Sequence, residues 1–182
     1  MTDHTPTRLT LPSLLVKTVV VHTVTYFIAG VLALVAGGYE TTFATPPLSY
    51  FMRPTTDAVV MAGPLFQPVR GVIFALAFYP LRTVLFERRR GWLILWWLLL
   101  ALGVLSTFGP APGSVEGIIY TIVPPRRQIL GLWEVLLQSL LFSFVLYHWV
   151  NRPRKRWLDV TLGVSFAIVM LLPLLGLFAR SR

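Results

Sequence analysis

The sequence predicts an all-α protein, a polytopic transmembrane helix bundle of about five spans, and three observations lead there. Of its 182 residues 55% are hydrophobic and only 13% charged, against roughly a quarter charged in soluble domains. The apolar residues fall in runs of about 20, the length a helix needs to cross a ~30 Å hydrocarbon core. Arginine clusters separate the runs, Arg88, Arg89 and Arg90 in one and Arg152, Arg154, Lys155 and Arg156 in another. A chain this short buries only about two-thirds of its surface on folding. With a mean hydropathy of +0.72, the excess apolar surface is expected to face lipid.

The first span is expected over 14–36, about 34 Å of helix, after a cytoplasmic segment over 1–13. Its apolar run exceeds that of a cleavable signal and no small-x-small site follows it, so it reads as a retained helix. Gly37 and Gly38 end it, and a loop rich in turn formers follows to Asp57. The next 30 residues are too long for one crossing. Pro64 and Pro68 divide them into a proline-broken interfacial or re-entrant piece over 57–67 and a second span over 69–86, with a kink at Pro80. Backbone broken at that depth needs cover from protein or water.

The third span is expected over 92–108, opened by Trp92, Trp96 and Trp97 at the headgroup boundary. The fourth is expected over 129–150 and the fifth over 158–179, before a tail at 180–182. A four-span version, with the last segment lying at the interface, is the alternative. The whole of 14–179 forms one helical domain.

Orientation follows from the charges. With the N-terminus inside, the inner segments hold Arg8, Lys17, Arg82, the three arginines at 88–90 and the four cations at 152–156. The outer segments hold Arg53, Arg70, Arg126, Arg127, Arg180 and Arg182. The positive-inside bias therefore predicts a cytoplasmic N-terminus in a plasma (inner) membrane. Anionic headgroups are the expected partners of the basic loops. The net charge of +9 does not point to nucleic acid, because the clusters lack interleaved exposed aromatics.

Candidate site residues are the polar groups that lipid penalises. On the fourth span Gln138 and His148 each fall about 40° from Glu134, so the three share a face that would suit a proton, cation or headgroup. Arg70, Arg126 and Arg127 are the expected charge partners of Glu134. On the first span Thr18, His22, Thr25, Ala29 and Ala33 recur at steps of three and four, a stripe that lets helices approach closely. His22 is the member able to carry a proton. Gly163 and Ala167, following Asp159 at four-residue steps, are expected to pack the fifth span. Glu116 belongs to a glycine- and proline-rich run over 109–117 that specifies a particular turn and is a candidate binding loop.

Other chemistries find no support. There is no cysteine, and His4, His22 and His148 are too far apart for zinc, so neither metal nor cofactor is expected. No glycine-rich phosphate loop and no nucleophile elbow occurs. The leading function is a noncatalytic subunit, scaffold or accessory factor packing against partner helices or a second copy of itself. A small oligomeric carrier or channel using Glu134, Gln138 and His148 is the second reading. An intramembrane enzyme with Glu116 or Glu134 as acid or base, and Arg70 or Arg126 as anchor, is the third.

Overall fold

The computed structural model describes residues 9–152 and 155–180. Arg8, Arg154, Arg182 and most of the N-terminal segment lie outside the described residues, as does the end of the tail. Among the described residues every regular element is helical. In order they are α1 (Leu11–Ala36), α2 (Tyr39–Ala44), a 3-10 turn (Leu48–Tyr50), α3 (Ala58–Met61) and α4 (Gly63–Phe78). Then follow α5 (Arg82–Phe86), α6 (Gly91–Leu100), a π-helical turn (Ala101–Leu105), α7 (Val115–Tyr120), α8 (Pro125–Val150) and α9 (Arg156–Arg180).

Local sequence sets the helix ends. α1, α4 and α8 each carry proline in the first turn, where its missing N–H has no helical partner to lose. Asp57 caps α3 by accepting the Val59 N–H at 2.8 Å, and Ser114 caps α7 by accepting the Gly117 N–H at 2.9 Å. Past the end of α1, Gly38 adopts φ 60°, a left-handed conformation that costs glycine little. α8 begins at Pro125, ahead of the expected 129, because that proline starts the helix and carries Arg126, Arg127 and Gln128 into its first turn. The segment expected to form the second span also differs at its start. α4 opens at Gly63 and runs through Pro68, one residue after α3 ends, so the chain turns at Ala62 while Pro68 lies inside the helix. Pro80 ends the regular run: α4 stops at Phe78 and α5 resumes at Arg82.

Three helices are long and apolar enough to cross a membrane: α1, α8 and α9. The two of 26 residues measure about 39 Å. Two shorter apolar stretches, Gly63–Phe78 and Gly91–Leu105, measure about 24 and 22 Å.

α1 is the central element, packed by α4, α8 and α9, while α6 lies on α8 and α5 joins α6 and α8. Its middle is covered on every side, with Val21, His22, Thr23, Val24 and Thr25 all buried. Thr18, Ala29 and Ala33 are buried too. The α1–α4 crossing is a backbone contact, since a Cβ on Gly71 would lie 2.6 Å from Val19 Cα. Below it Phe74, Phe78 and Phe142 form an aromatic cluster with ring centroids 5.6–6.1 Å apart. Trp96 Nε1 donates to Ser139 Oγ at 3.2 Å and ties α6 to α8.

α9 corrects one expectation. Gly163 and Ala167 are exposed, with nothing within 4 Å of a Cβ placed on Gly163. The residues α9 buries are Leu162, Val169 and Pro173. α9 meets α1 and α4 along the edge of Leu162, Val169 and Pro173, about 100° or more round the helix from Gly163 and Ala167. Asp159 accepts Trp149 Nε1–H at 2.6 Å, which fixes that rotation.

The two arginine-rich loops lie at the same end of the bundle. The Tyr147 hydroxyl, near the end of α8, donates to Arg88 O at 2.8 Å and lies 3.2 Å from Arg89 O. Lys17 Nζ donates to Trp149 O at 3.3 Å.

Gly71→Val should cost about 1–3 kcal/mol by overpacking the α1–α4 crossing. Gly163→Val, in open space, should stay within about 0.5 kcal/mol. Unfolding in detergent measures both, and equal losses would contradict the packing described.

Candidate functional site

At the end of the bundle away from the arginine loops, α1 is covered on one face only and a cleft of about 1200 Å³ opens on the other, slightly above the size usual for small-molecule sites. The C-terminal half of α1 contributes Tyr26, Gly30 and Leu34 to its wall, and the third turn of α8 contributes Trp133 and Glu134. The segment between α1 and α3 supplies Tyr39, Phe51 and Arg53, and Arg127 closes the rim. Most of the lining is apolar. Leu34 is 48% and Phe51 57% exposed, so the wall offers apolar surface that none of the described residues covers.

The polar groups have defined partners. Half-buried Glu134 accepts a hydrogen bond from the Tyr39 hydroxyl, 95 residues away in sequence. Burial, and beyond it the Glu134 carboxylate, hold the Tyr39 phenol above its usual pKa, so it keeps the proton it donates. This corrects the expected pairing of Glu134 with an arginine. The Gly37–Gly38 turn swings α2 back toward α8 and delivers a phenol to the carboxylate. Arg127 instead donates to Pro46 O at 3.1 Å, pinning the 39–55 segment to α8. Arg53 pairs with Asp57 at 3.1 Å. Arg126 is exposed in the first turn of α8. Arg70, exposed on α4, lies over the Phe74 ring at 5.8 Å, and neither residue lines the cleft.

The face expected to unite Glu134, Gln138 and His148 is divided. α8 packs along Ser139, Phe142, Ser143, Leu146 and Trp149. Gln138, half-buried, borders that line on the Glu134 side. His148 stands about 100° round the helix from Trp149, near the arginine end, with its ring against Phe144 at 4.1 Å. The interior histidine is His22, 1% exposed. Gln67 Nε2 donates to Gly63 O, which turns its Oε1 toward His22 Nε2 at 3.2 Å. That acceptor places the ring proton on Nε2. Among the described residues His22 Nδ1, Thr18 Oγ1 and Thr23 Oγ1 are buried with no hydrogen-bond partner. Tyr26, one turn above His22 with ring centroids 6.3 Å apart, separates it from the cleft.

The glycine- and proline-rich run is a fixed structure, and the residue that fixes it was not singled out from sequence. Gln128, 2% exposed, accepts Gly113 N–H at 3.0 Å and donates to Gly117 O at 3.1 Å and Val123 O at 2.7 Å. Gly113 at φ 89° makes the turn that presents its N–H. The only cue in the sequence is an amide in the first turn of an apolar helix. Glu116 lies in the first turn of α7, half-exposed and outside the cleft lining. Among the described residues no group of three or more His, Asp or Glu stands together in a way that could hold a metal.

Comparison with known families, with curated proteins and with solved structures found no match.

Gln128→Leu strands the Gly113 N–H and two carbonyls, at about 1–3 kcal/mol for each buried group left unpaired. Amide exchange at Gly113 should therefore quicken by about tenfold or more. Unchanged protection over 111–123 would show that the loop holds itself.

Proposed function

We propose that the chain is a noncatalytic five-span membrane protein that binds an amphiphile in the cleft beside Glu134. The observation that carries this reading is a wall of uncovered apolar side chains rimmed by Arg53, Arg127 and the Tyr39–Glu134 pair. An acyl chain would occupy the wall between α1 and α8, and a headgroup would meet the rim, the division of labour usual in ligand sites. The noncatalytic reading draws support from the acids. Glu134 is engaged by Tyr39, and Glu116 stands on a separate loop.

The five spans are α1, α4 with α5, α6 with its π turn, α8 and α9. The second runs over 63–86, about 36 Å if helical throughout. The third, at about 22 Å, is short, which local thinning of the bilayer or snorkelling of its flanks accommodates. The arginine-rich end faces the cytoplasm and the cleft opens toward the outer leaflet of the plasma membrane. The charge distribution supports this, because Arg88, Arg89, Arg90, Arg152, Lys155 and Arg156 gather at one end.

Two experiments test the proposal. The chain has no cysteine, so single-cysteine labelling in cells reads topology directly. Arg89→Cys should label only from the cytoplasm and Ala111→Cys only from outside, and the reverse pattern would overturn the orientation. Gly30 lines the cleft with nothing within 4 Å of an added Cβ, so Gly30→Trp should fill it. Lipid retained through purification, counted by native mass spectrometry, should then fall about tenfold. That corresponds to roughly 60 Å² of lost apolar contact at ~25 cal/mol per Å². Equal retention would remove the cleft as the site.

A further inference from the structure

Three residues of one helix, Arg127, Gly131 and Glu134 of α8, line the cleft at steps of four and three. Arg127 and Glu134 therefore stand within about 20° of each other round the helix and about 10 Å apart along it. Their charges are opposite, yet the gap is too wide for either to neutralise the other. Each is held instead by an uncharged group of the 39–55 segment, Glu134 by the Tyr39 hydroxyl and Arg127 by Pro46 O. Among the described residues neither forms an ion pair, and the third charged group of the rim, Arg53, is matched by Asp57. The face between them is open, with nothing within 4 Å of a Cβ placed on Gly131. Tyr39 and Phe43, stacked with ring centroids 4.8 Å apart, set aromatic rings on the carboxylate's side, and such rings attract ammonium groups. A held carboxylate and a held guanidinium thus flank an open slot, and the carboxylate is the one nearer the middle of α8.

We propose that the cleft takes a zwitterionic amphiphile whose positive nitrogen lies between its apolar chain and its anionic group. This rests on an amphiphile occupying the cleft and specifies the headgroup. A headgroup with charge of one sign only would leave either Glu134 or Arg127 desolvated without a partner, which is costly. With a contact of about 3 Å at each end, the gap of about 10 Å takes ligand charges roughly 4 Å apart, a linker of two or three carbons. Depth sets their order. A chain running from the cleft toward the middle of α8 passes the third turn, with Glu134, and leaves the first turn, with Arg127, on its outer side. The nitrogen therefore follows the chain and the anion comes last. A phosphocholine has the reverse order, its phosphate next to the chain. Gly131 leaves room for substituents on the nitrogen.

The test uses the full chain in a nonionic detergent, with two probes of equal chain length and zero net charge. Dodecyl sulfobetaine carries chain, ammonium, then sulfonate, and dodecylphosphocholine carries chain, phosphate, then ammonium. An ion pair at a partly exposed rim is worth up to about fivefold, so native mass spectrometry should find the sulfobetaine retained about tenfold over the phosphocholine. Glu134→Gln keeps an oxygen for the Tyr39 hydroxyl and Arg127→Gln keeps an N–H for Pro46 O, and each should cut the preference to about twofold. The tailless headgroup, dimethylethylammonio propanesulfonate, should not displace the probe at equal concentration. Equal retention of the two probes, or a preference for the phosphocholine, would refute the charge order. A preference that survives both glutamine variants would refute these residues as its source, and displacement by the tailless compound would refute an amphiphile. Gly30→Trp separates the two levels of failure. If it lowers retention of both probes alike while the wild type does not discriminate between them, the cleft stands and the zwitterion order falls. If it lowers neither, the cleft itself is not the site. Should Glu134→Gln fail to fold, Arg127→Gln, on the exposed rim, reads the same outcomes.

Discussion

Where α1 and α4 cross at Val19 and Gly71 the two backbones touch, and much of the rest of the bundle is arranged around that contact. Helices in lipid gain little from hiding apolar side chains, because the acyl chains are as apolar as leucine. Their association rests on close van der Waals approach and on hydrogen bonds between helices. Thr18, Thr25, Ala29 and Ala33 are small enough for α8 and α4 to close on α1, and all are buried. The same helix is left bare toward Gly37, where Val31 and Leu34 are exposed and line the cleft. Core and cleft share one helix: past Thr25 the face bearing Ala29 and Ala33 stays covered by neighbours, and the face bearing Val31 and Leu34 does not.

The polar groups inside obey the cost of leaving them unpaired at low dielectric. Gln67 is oriented from both sides, its amide nitrogen on Gly63 O and its oxygen on His22, so it joins α1 to α4 at a depth without bulk water. His22 is also gripped by Phe74 and Phe142, whose ring centroids lie 5.0 and 5.2 Å away. Ser139 and Ser143 follow the same logic by donating within α8, to Leu136 O and Ser139 O. These bonds orient the helices as much as they hold them.

Much of this was legible in the sequence, and what was not has a common cause. Periodicity along α1 is local, and three- and four-residue steps name one face of a helix whatever surrounds it. The arginine clusters carry their message in composition alone. Periodicity cannot say which of two neighbouring faces a partner chooses, and α9 buries Leu162 and Val169 instead of Gly163 and Ala167. Tyr39 with Glu134 and His22 with Gln67 are 95 and 45 residues apart, so neither pairing has a local signature. The role of Gln128 depends on a loop folded back by Gly113, and no count of apolar residues anticipates it. For the same reason the face shared by Glu134, Gln138 and His148 is true of the isolated helix and divided in the bundle.

Both ends of the bundle meet one requirement with different residues. Where helices end near lipid, their carbonyls and the turns between them need partners, since hydrocarbon supplies none. At the cleft end amides and a guanidinium supply them: Gln128 to Gly117 and Val123, Arg127 to Pro46. At the arginine end they come from a phenol and an ammonium, Tyr147 to Arg88 and Lys17 to Trp149. In each case the side chain sits on a long helix and reaches the backbone of another segment, so the loops take their shape from the spans. That coupling explains how segments rich in glycine, proline and arginine, with few apolar contacts of their own, hold a fixed conformation at the ends of the apolar helices. It also makes the long helices, α8 above all, the scaffold on which any ligand contact at either end depends.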